Sequence, residues 1–102
     1  MNIALIKGVI SDDFDIRYTG KGDAVVNLTI KSSKSYRDSE GNAKTADTYH
    51  KVVFFGEKAK TVHDLAKKDT EIFVNGEINH RSYEKDGVKR WVTEIKAKEF
   101  EI

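Results

Sequence analysis

The 102-residue sequence predicts an all-β fold with one short helix, and three of its features indicate this class. Several segments alternate apolar and polar residues as half-buried strands do, most clearly residues 24–31. Residues 57–68 instead space their apolar side chains as an amphipathic helix does. The pair Asp86-Gly87 is a strong signal for a tight turn between two strands.

The first half of the chain is predicted to contain two strands and a loop. Residues 2–18 are β-rich on both sides of Asp12 and Asp13, which indicates one strand with a turn or bulge at the aspartates. Residues 24–31 form the second predicted strand. Residues 37–47 hold no hydrophobic residue larger than alanine, so we expect a long mobile loop there.

Residues 49–55 form the third predicted strand, and both of its faces are largely apolar. If Val52 and Phe54 fill the interior of a barrel, the odd-numbered residues must point outward. An outward apolar face on so small a domain calls for a ligand or a partner. The outward residues are Tyr49, Lys51, Val53 and Phe55.

The helix and the last two strands complete the order of elements. The predicted apolar side of the helix consists of Ala59, Val62, Leu65 and Ala66. Alternation resumes from Thr70, with Ile72, Val74 and Ile78 on one face, and the final hairpin follows. Five strands with one helix between the third and fourth is the chain order of a five-stranded OB barrel, which we expect to span residues 1–102 as one domain.

Composition and charge exclude several classes of protein. The absence of cysteine excludes disulfides and thiolate zinc sites, and the longest apolar runs are far too short to span a membrane. No signal-peptide pattern is present, so we expect a cytoplasmic protein. The net charge of +1 is unevenly placed, because residues 31–68 carry nine bases and five acids, a net of +4. A site for a polyanion should therefore draw on the middle of the chain.

No pattern of residues indicates catalysis. The three histidines are separated by 13 and 17 residues without metalloprotease-type pairing, and no serine or threonine lies in a nucleophile-elbow context. The triplet Asp12, Asp13 and Asp15 could hold Mg²⁺ in a nuclease, but aspartates beside a bend are more often turn formers. We expect no enzyme activity, no metal and no cofactor.

Aromatic and basic residues at strand ends and on strand faces indicate binding instead. A flexible polyanion with exposed bases needs cations for its phosphates and flat π-faces for its bases. The aromatic candidates for stacking are Tyr36, Tyr49, Phe55 and Tyr83. The basic candidates for phosphate contacts are Arg17, Lys34, Arg37, Lys51, Arg81 and Arg90.

The final hairpin separates two aromatic residues. With Asp86-Gly87 as a two-residue turn, Tyr83 pairs with Arg90, and Trp91 points to the opposite face. Tyr83 is then a candidate for base stacking, and Trp91 is a candidate for the core. A three-residue loop with a bulge would reverse the two faces.

Six segments of the sequence resemble one known family in order and spacing. They are residues 16–19 (IRYT), 24–27 (AVVN), 35–38 (SYRD), 48–56 (TYHKVVFFG), 74–77 (VNGE) and 90–95 (RWVTEI). Together they are similar to the bacterial single-stranded DNA-binding proteins over nearly the whole chain. The resemblance implies an OB fold, a homotetramer without enzymatic activity, and binding of single-stranded DNA with little sequence preference in replication, recombination and repair.

The resemblance also assigns residues and shows departures. The family's stacking positions fall on the four aromatic candidates named above. The family commonly has tryptophan where this chain has Tyr36, Tyr49 and Tyr83, so we expect stacking to persist but weaken. Asp69 replaces a glycine that the family usually has after the helix.

Self-association and partners complete the expectations. A small barrel with apolar residues on both strand faces should bury the surplus in an oligomer, and Ile3, Leu5 and His50 are the expected contacts. Family members typically continue into a tail that recruits replication and repair enzymes, whereas this sequence stops at Ile102. We expect either a tailless phage or plasmid relative or a domain cut at its edge.

Two other functions are compatible with the same residues. One is a primosome-type OB module whose aromatic face meets mainly protein and which binds single strands weakly. The other is a metal-dependent nuclease that uses the acidic triplet as ligands.

Overall fold

The computed structural model describes residues 1–102 and contains six strands and one helix. The strands are β1 (Ala4–Ile10), β2 (Ile16–Tyr18), β3 (Ala24–Arg37), β4 (Ala43–Phe55), β5 (Glu71–Lys85) and β6 (Val88–Glu101), and the helix is α1 (Glu57–Leu65). The predicted all-β class with one helix is confirmed. The sixth strand arises because the aspartate segment breaks the first predicted strand into β1 and β2.

The strands form one sheet in the order β1-β5-β6-β4-β3-β2, and β1 also pairs with β3. This additional pairing closes five strands into a barrel and leaves β2 as a short extra strand. Every pairing is antiparallel except that of β4 with β6, which is parallel and joins only two residue pairs. The predicted five-stranded OB barrel is confirmed.

Barrel closure depends on two glycines. A Cβ atom at Gly8 would lie 2.2 Å from the carbonyl oxygen of Lys31, and one at Gly76 would lie 2.2 Å from that of Lys96. A side chain at either position would therefore push neighbouring strands apart. Gly76 also lies at the register shift between β5 and β6, where a bulge bends the hairpin.

The core lies inside the barrel and is capped by α1. The predicted inward residues Val52 and Phe54 are buried, and the Phe54 ring packs edge-on against Phe100 with the ring centroids 5.5 Å apart. Val53, predicted to point outward, is buried although it does not belong to the core cluster. The outward-pointing side chain of Val53 is therefore covered by other residues rather than open to solvent.

The helix is shorter than predicted and its apolar side is narrower. Ala59, Val62 and Ala66 pack against the core, as expected. The prediction for Leu65 was wrong, because α1 ends at this residue and its side chain faces solvent. Ala66 already has an extended backbone and donates its N–H to the carbonyl oxygen of Val62.

Residues 37–47 are not a long loop, so that prediction was wrong. Thirteen consecutive residue pairs join β3 to β4, from Val25 with Phe55 to Arg37 with Ala43. The carboxylate of Asp38 closes the turn by accepting hydrogen bonds from two backbone N–H groups, each at 2.9 Å. The strand needs no large apolar side chains here, because the backbone ladder continues from the half that is anchored in the barrel. We call residues 31–49 the β3–β4 arm.

The predicted two-residue turn of the final hairpin is confirmed. Lys85 pairs with Val88, and Asp86 and Gly87 have φ angles of 53° and 75°, as a type I′ turn requires. Tyr83 pairs with Arg90, and Trp91 occupies the opposite face, as expected. We call residues 79–92 the β5–β6 arm.

The prediction that Trp91 belongs to the core was wrong. The indole is 58% exposed, because the β5–β6 arm projects beyond the barrel and both of its faces meet solvent. The two arms also explain the overall dimensions. The radius of gyration is 15.7 Å, whereas a compact domain of this length has about 13 Å. No helix of the molecule has the length and apolarity needed to cross a lipid bilayer.

Candidate nucleic-acid interface

A groove of about 410 Å³ lies between the outer face of the barrel and the β5–β6 arm. Three of the predicted phosphate-binding cations line it, namely Arg17, Lys51 and Arg81. The predicted stacking residue Tyr83 lies in the same lining. Strands β2, β4 and β5 thus bring four of the ten predicted binding residues into one place, which we call the basic groove.

The outward side of β4 continues the basic groove as a row of alternating side chains. Tyr49, Lys51 and Phe55 are all exposed on this side. Val25 pairs with Phe55 on one side and with Arg17 on the other, so Arg17 lies two strands from the Phe55 ring. Neighbouring strands are about 4.8 Å apart, so the backbones of Arg17 and Phe55 are separated by about 10 Å. The row therefore offers π-faces with a cation beside each one.

Arg81 is held in the basic groove by a carboxylate that the sequence analysis missed. Its Nε donates to Oε1 of Glu94 at 2.8 Å, and Asn79 Nδ2 donates to the same oxygen at 3.4 Å. The hydrogen bond and the charge of Glu94 raise the pKa of the Arg81 guanidinium. Glu94 is only 8% exposed, so it fixes the arginine rather than competing for a ligand. The two-residue turn places Glu94 opposite Asn79 and was the signal that could have found it.

Arg90 lies opposite Tyr83 on the same face of the β5–β6 arm as Arg81. This face therefore carries two guanidinium groups around an exposed tyrosine ring. A guanidinium can pair with a phosphate oxygen through two parallel hydrogen bonds. The arrangement can hold a phosphate on each side of a stacked base.

The remaining three predicted residues lie on the β3–β4 arm, outside the basic groove. Tyr36 pairs with Lys44 and Lys34 pairs with Ala46 in an unbroken register. Their even numbering puts Tyr36 and Lys34 on the face opposite Tyr49. Arg37 donates from Nη1 to the carbonyl oxygen of Gly41 at 2.9 Å and stays at the tip of the arm.

The predicted oligomer contacts lie on two different faces. A second cavity of about 480 Å³ brings His50 next to Ala4 and Ile6. Leu5 alternates with these two residues and, like Ile3, is exposed on the other side. Nε2 of His50 lies 2.8 Å from Oγ of Ser32, which orients the ring.

Ile78, predicted to share the interior face of its strand, also lines this second cavity and is exposed. It marks the point at which β5 leaves the barrel. The inward face of the strand therefore becomes a surface from Ile78 onward.

No group of three or more histidine, cysteine, aspartate or glutamate side chains is arranged to hold a metal ion. His63 packs edge-on against Phe14 with the ring centroids 6.2 Å apart. His80 stacks on Trp91, and Nδ1 of His80 lies 2.7 Å from Oγ1 of Thr93. The histidines thus have structural contacts, which include Oγ of Ser32 for His50 and, at 3.8 Å from Nδ1, Oδ1 of the neighbouring Asp64 for His63.

Solved structures of known proteins share this fold. A deletion mutant of the single-stranded DNA binding protein from Thermus aquaticus has a TM-score of 0.86 and 30% sequence identity, and the likeness covers 99% of this chain and 49% of that one. The Plasmodium falciparum SSB in complex with ssDNA has a TM-score of 0.84. Its 19% identity, over 99% of this chain and 91% of that one, shows a common fold.

Sequence comparison identifies bacterial relatives. The chain is 35% identical over 104 residues to single-stranded DNA-binding protein 1 of Xylella fastidiosa, which covers the whole chain and 76% of the relative. It is 29% identical over 103 residues to the single-stranded DNA-binding protein of Xanthomonas campestris, of which it covers 60%. The model of the single-strand binding protein family matches residues 1–102. The resemblance noted in the sequence is therefore confirmed, and the chain belongs to the single-strand binding protein family.

Proposed function

We propose that residues 1–102 form one domain that binds single-stranded DNA without sequence preference, and that it protects exposed strands in replication, recombination and repair. The observation that carries this proposal is the basic groove, where Tyr83 lies among Arg17, Lys51 and Arg81. Membership of the single-strand binding protein family supports it over a primosome-type protein-interaction module. The function requires no catalytic step.

The geometry favours a single strand over a duplex. Tyr49, Phe55 and Tyr83 are exposed side chains that offer a π-face to an unpaired base, while the bases of a duplex are already stacked on one another. Every base has a π-face, so stacking tolerates any sequence. Tyrosine is smaller than the tryptophan common in the family, and each stacking contact is correspondingly weaker.

The cations neutralise the phosphates between stacked bases. Lys51 lies between Tyr49 and Phe55 on the outward side of β4, so it serves both stacking positions. Arg17 serves Phe55, and Arg81 and Arg90 serve Tyr83. Outside the basic groove the DNA strand continues along the β3–β4 arm, where Tyr36 stacks a base and Lys34 and Arg37 contact phosphates.

We also propose a homotetramer. Exposed Ile3 and Leu5 on one side of β1, and the apolar cavity beside His50, give each protomer two surfaces to cover. The compartment that we propose is the cytoplasm of a bacterial host, where replication and repair proteins are the partners of a DNA-bound form. Light scattering should give a mass well above the 11.6 kDa of one chain, and a monomer at micromolar concentration would contradict the tetramer.

One titration tests the binding proposal. Labelled oligo-dT is bound at several salt concentrations, with a duplex of equal length as competitor, and a denaturing gel with Mg²⁺ detects cleavage. The logarithm of the affinity should fall linearly with the logarithm of the salt concentration, with a slope of about −0.7 for each phosphate that the protein neutralises. The oligonucleotide should stay intact. Equal affinity for duplex and single strand would rule out stacking.

A matched pair of variants assigns the stacking. Tyr83→Ala should lower the binding free energy by about 1–3 kcal/mol. Phe73→Ala removes an exposed aromatic ring at the far end of the same strand, outside the basic groove, and should leave the affinity unchanged. An equal loss in both variants would contradict the assignment of Tyr83.

A further inference from the structure

An aromatic pair lies on the face of the β5–β6 arm opposite Tyr83, and the proposed function assigns it no role. The rings of His80 and Trp91 are stacked, with an interplanar angle of 2° and centroids 5.1 Å apart. The ammonium group of Lys89 lies 4.9 Å from the centroid of the Trp91 ring. Along this face of the arm, the cross-strand pair that contains His80 comes first, the pair that contains Trp91 second and the pair that contains Lys89 third. His80 and Lys89 therefore lie on opposite sides of Trp91 along the arm.

The pair is held in place but is not part of the core. Oγ1 of Thr93 lies 2.7 Å from Nδ1 of His80 and fixes the imidazole, which in turn orients the indole. Trp91 is 58% exposed and is absent from the core cluster. A rigid ring loses little conformational entropy when it binds a ligand. Trp91 is therefore a preformed π-surface midway along a projecting arm.

A cation beside the ring favours a polyanion as the occupant. On the Trp91 face this cation is Lys89, paired across the arm with Glu84, while Arg81, Lys85 and Arg90 lie on the opposite face. The contact of an exposed lysine with an aromatic ring is weak. Lys89 can therefore turn to a phosphate when a base takes its place over the indole, which is the combination that a nucleotide requires.

We propose that Trp91 is a second base-stacking site for single-stranded DNA on this arm, with His80 as its positioning residue and Lys89 as its phosphate contact. The DNA strand then passes around the β5–β6 arm and contacts Tyr83 on one face and Trp91 on the other. The arm is only two strands wide, about 5 Å between strand axes, so a flexible strand can round its edge. This inference rests on the proposed function.

The test uses the emission of Trp91, which is the only tryptophan of the chain. Oligo-dT should quench this emission in the wild-type protein and should protect it from quenching by iodide. Trp91→Ala should weaken oligo-dT binding by about 5- to 150-fold, the loss expected for one stacked base. His80→Ala should cause a smaller loss, and Trp91→Phe should retain most of the affinity.

Leu65→Ala is the matched control, because it truncates an exposed apolar residue on α1, outside the arm and the basic groove. It should change neither affinity nor emission. If Trp91→Ala does not fold, the quenching and iodide results on the wild-type protein decide the question.

The possible failures are distinguishable. If the wild-type protein binds oligo-dT while its emission stays unchanged and Trp91→Ala keeps full affinity, this inference is wrong and the proposed function stands. If iodide cannot quench the DNA-free protein, a second copy of the chain covers Trp91, and the inference is also wrong. If the wild-type protein does not bind oligo-dT at all, the proposed function itself is wrong.

Discussion

Phe54 and Phe55 are neighbours in the sequence, yet the structure predicts opposite consequences for replacing each with alanine. Phe54 is 0% exposed and packs against Phe100 in the centre of the barrel. Phe55 is 50% exposed and ends the outward row of β4. The pair therefore tests whether the two faces of β4 serve the core and the nucleic acid, respectively.

The magnitudes follow from burial. Removing a fully buried phenylalanine costs about 3–5 kcal/mol in the free energy of unfolding, which is the expectation for Phe54→Ala. Full burial of a phenylalanine contributes about 1.5–3 kcal/mol, so half-burial gives about 0.8–1.5 kcal/mol for Phe55→Ala. With about 4–8 °C per kcal/mol in a domain of this size, Tm should fall by about 12–40 °C for Phe54→Ala and about 3–12 °C for Phe55→Ala.

Binding should show the reverse order. Phe55→Ala removes one stacking contact and should lower the free energy of oligo-dT binding by about 1–3 kcal/mol. Phe54→Ala should bind oligo-dT with the wild-type affinity wherever it is folded. Urea or thermal unfolding gives the stability, and fluorescence anisotropy of a labelled oligonucleotide at fixed salt gives the affinity.

Leucine variants keep the comparison possible if Phe54→Ala unfolds. Phe54→Leu preserves most of the buried volume and should cost no more than about 1.5 kcal/mol of stability. Phe55→Leu should keep the stability and still lose the stacking contact. A Phe55 variant that retains full affinity, or a Phe55→Ala protein that is less stable than Phe54→Ala, would refute the reasoning.

Three further changes have defined outcomes. Lys51→Glu should weaken oligo-dT binding and reduce the logarithmic salt slope by about 0.7 for the lost phosphate contact, and an unchanged slope would remove Lys51 from the site. Asp69 adopts a φ of 74°, so Asp69→Gly should raise the free energy of unfolding by about 0.5–1 kcal/mol, while Asp69→Ala should not. Backbone hydrogen bonds, chiefly from Asn42, lower the pKa of Asp38 below its ordinary value of 3.8. The stability that this carboxylate contributes to the β3–β4 arm is therefore present above pH 3.8 and is lost as the pH falls through the lower pKa of the folded protein. The NMR amide signals of Glu40 and Asn42 should accordingly titrate below pH 3.8.

The periodicity of the sequence was sufficient for the class of fold and for the faces of the strands. Alternation along β4 predicts that Phe54 points inward and Phe55 outward, because successive side chains of any strand point to opposite sides. The Asp86-Gly87 pair predicts the register of the last hairpin, since a type I′ turn needs positive φ angles at both central residues. Both rules depend only on local backbone geometry, and both predictions are confirmed.

Only the tertiary structure decided which parts of the strands are covered. Ile95 and Trp91 lie on the same face of β6, yet Ile95 is 7% exposed and Trp91 is 58% exposed. Parity sets the direction of a side chain, whereas burial requires another layer of protein above that part of the sheet. Residues 37–47 show the same limit, because their polar composition excludes a core position but not a strand that projects from the barrel. The pairing of β1 with β3 and the points at which both arms leave the barrel depend on residues far apart in the chain, which no local pattern specifies.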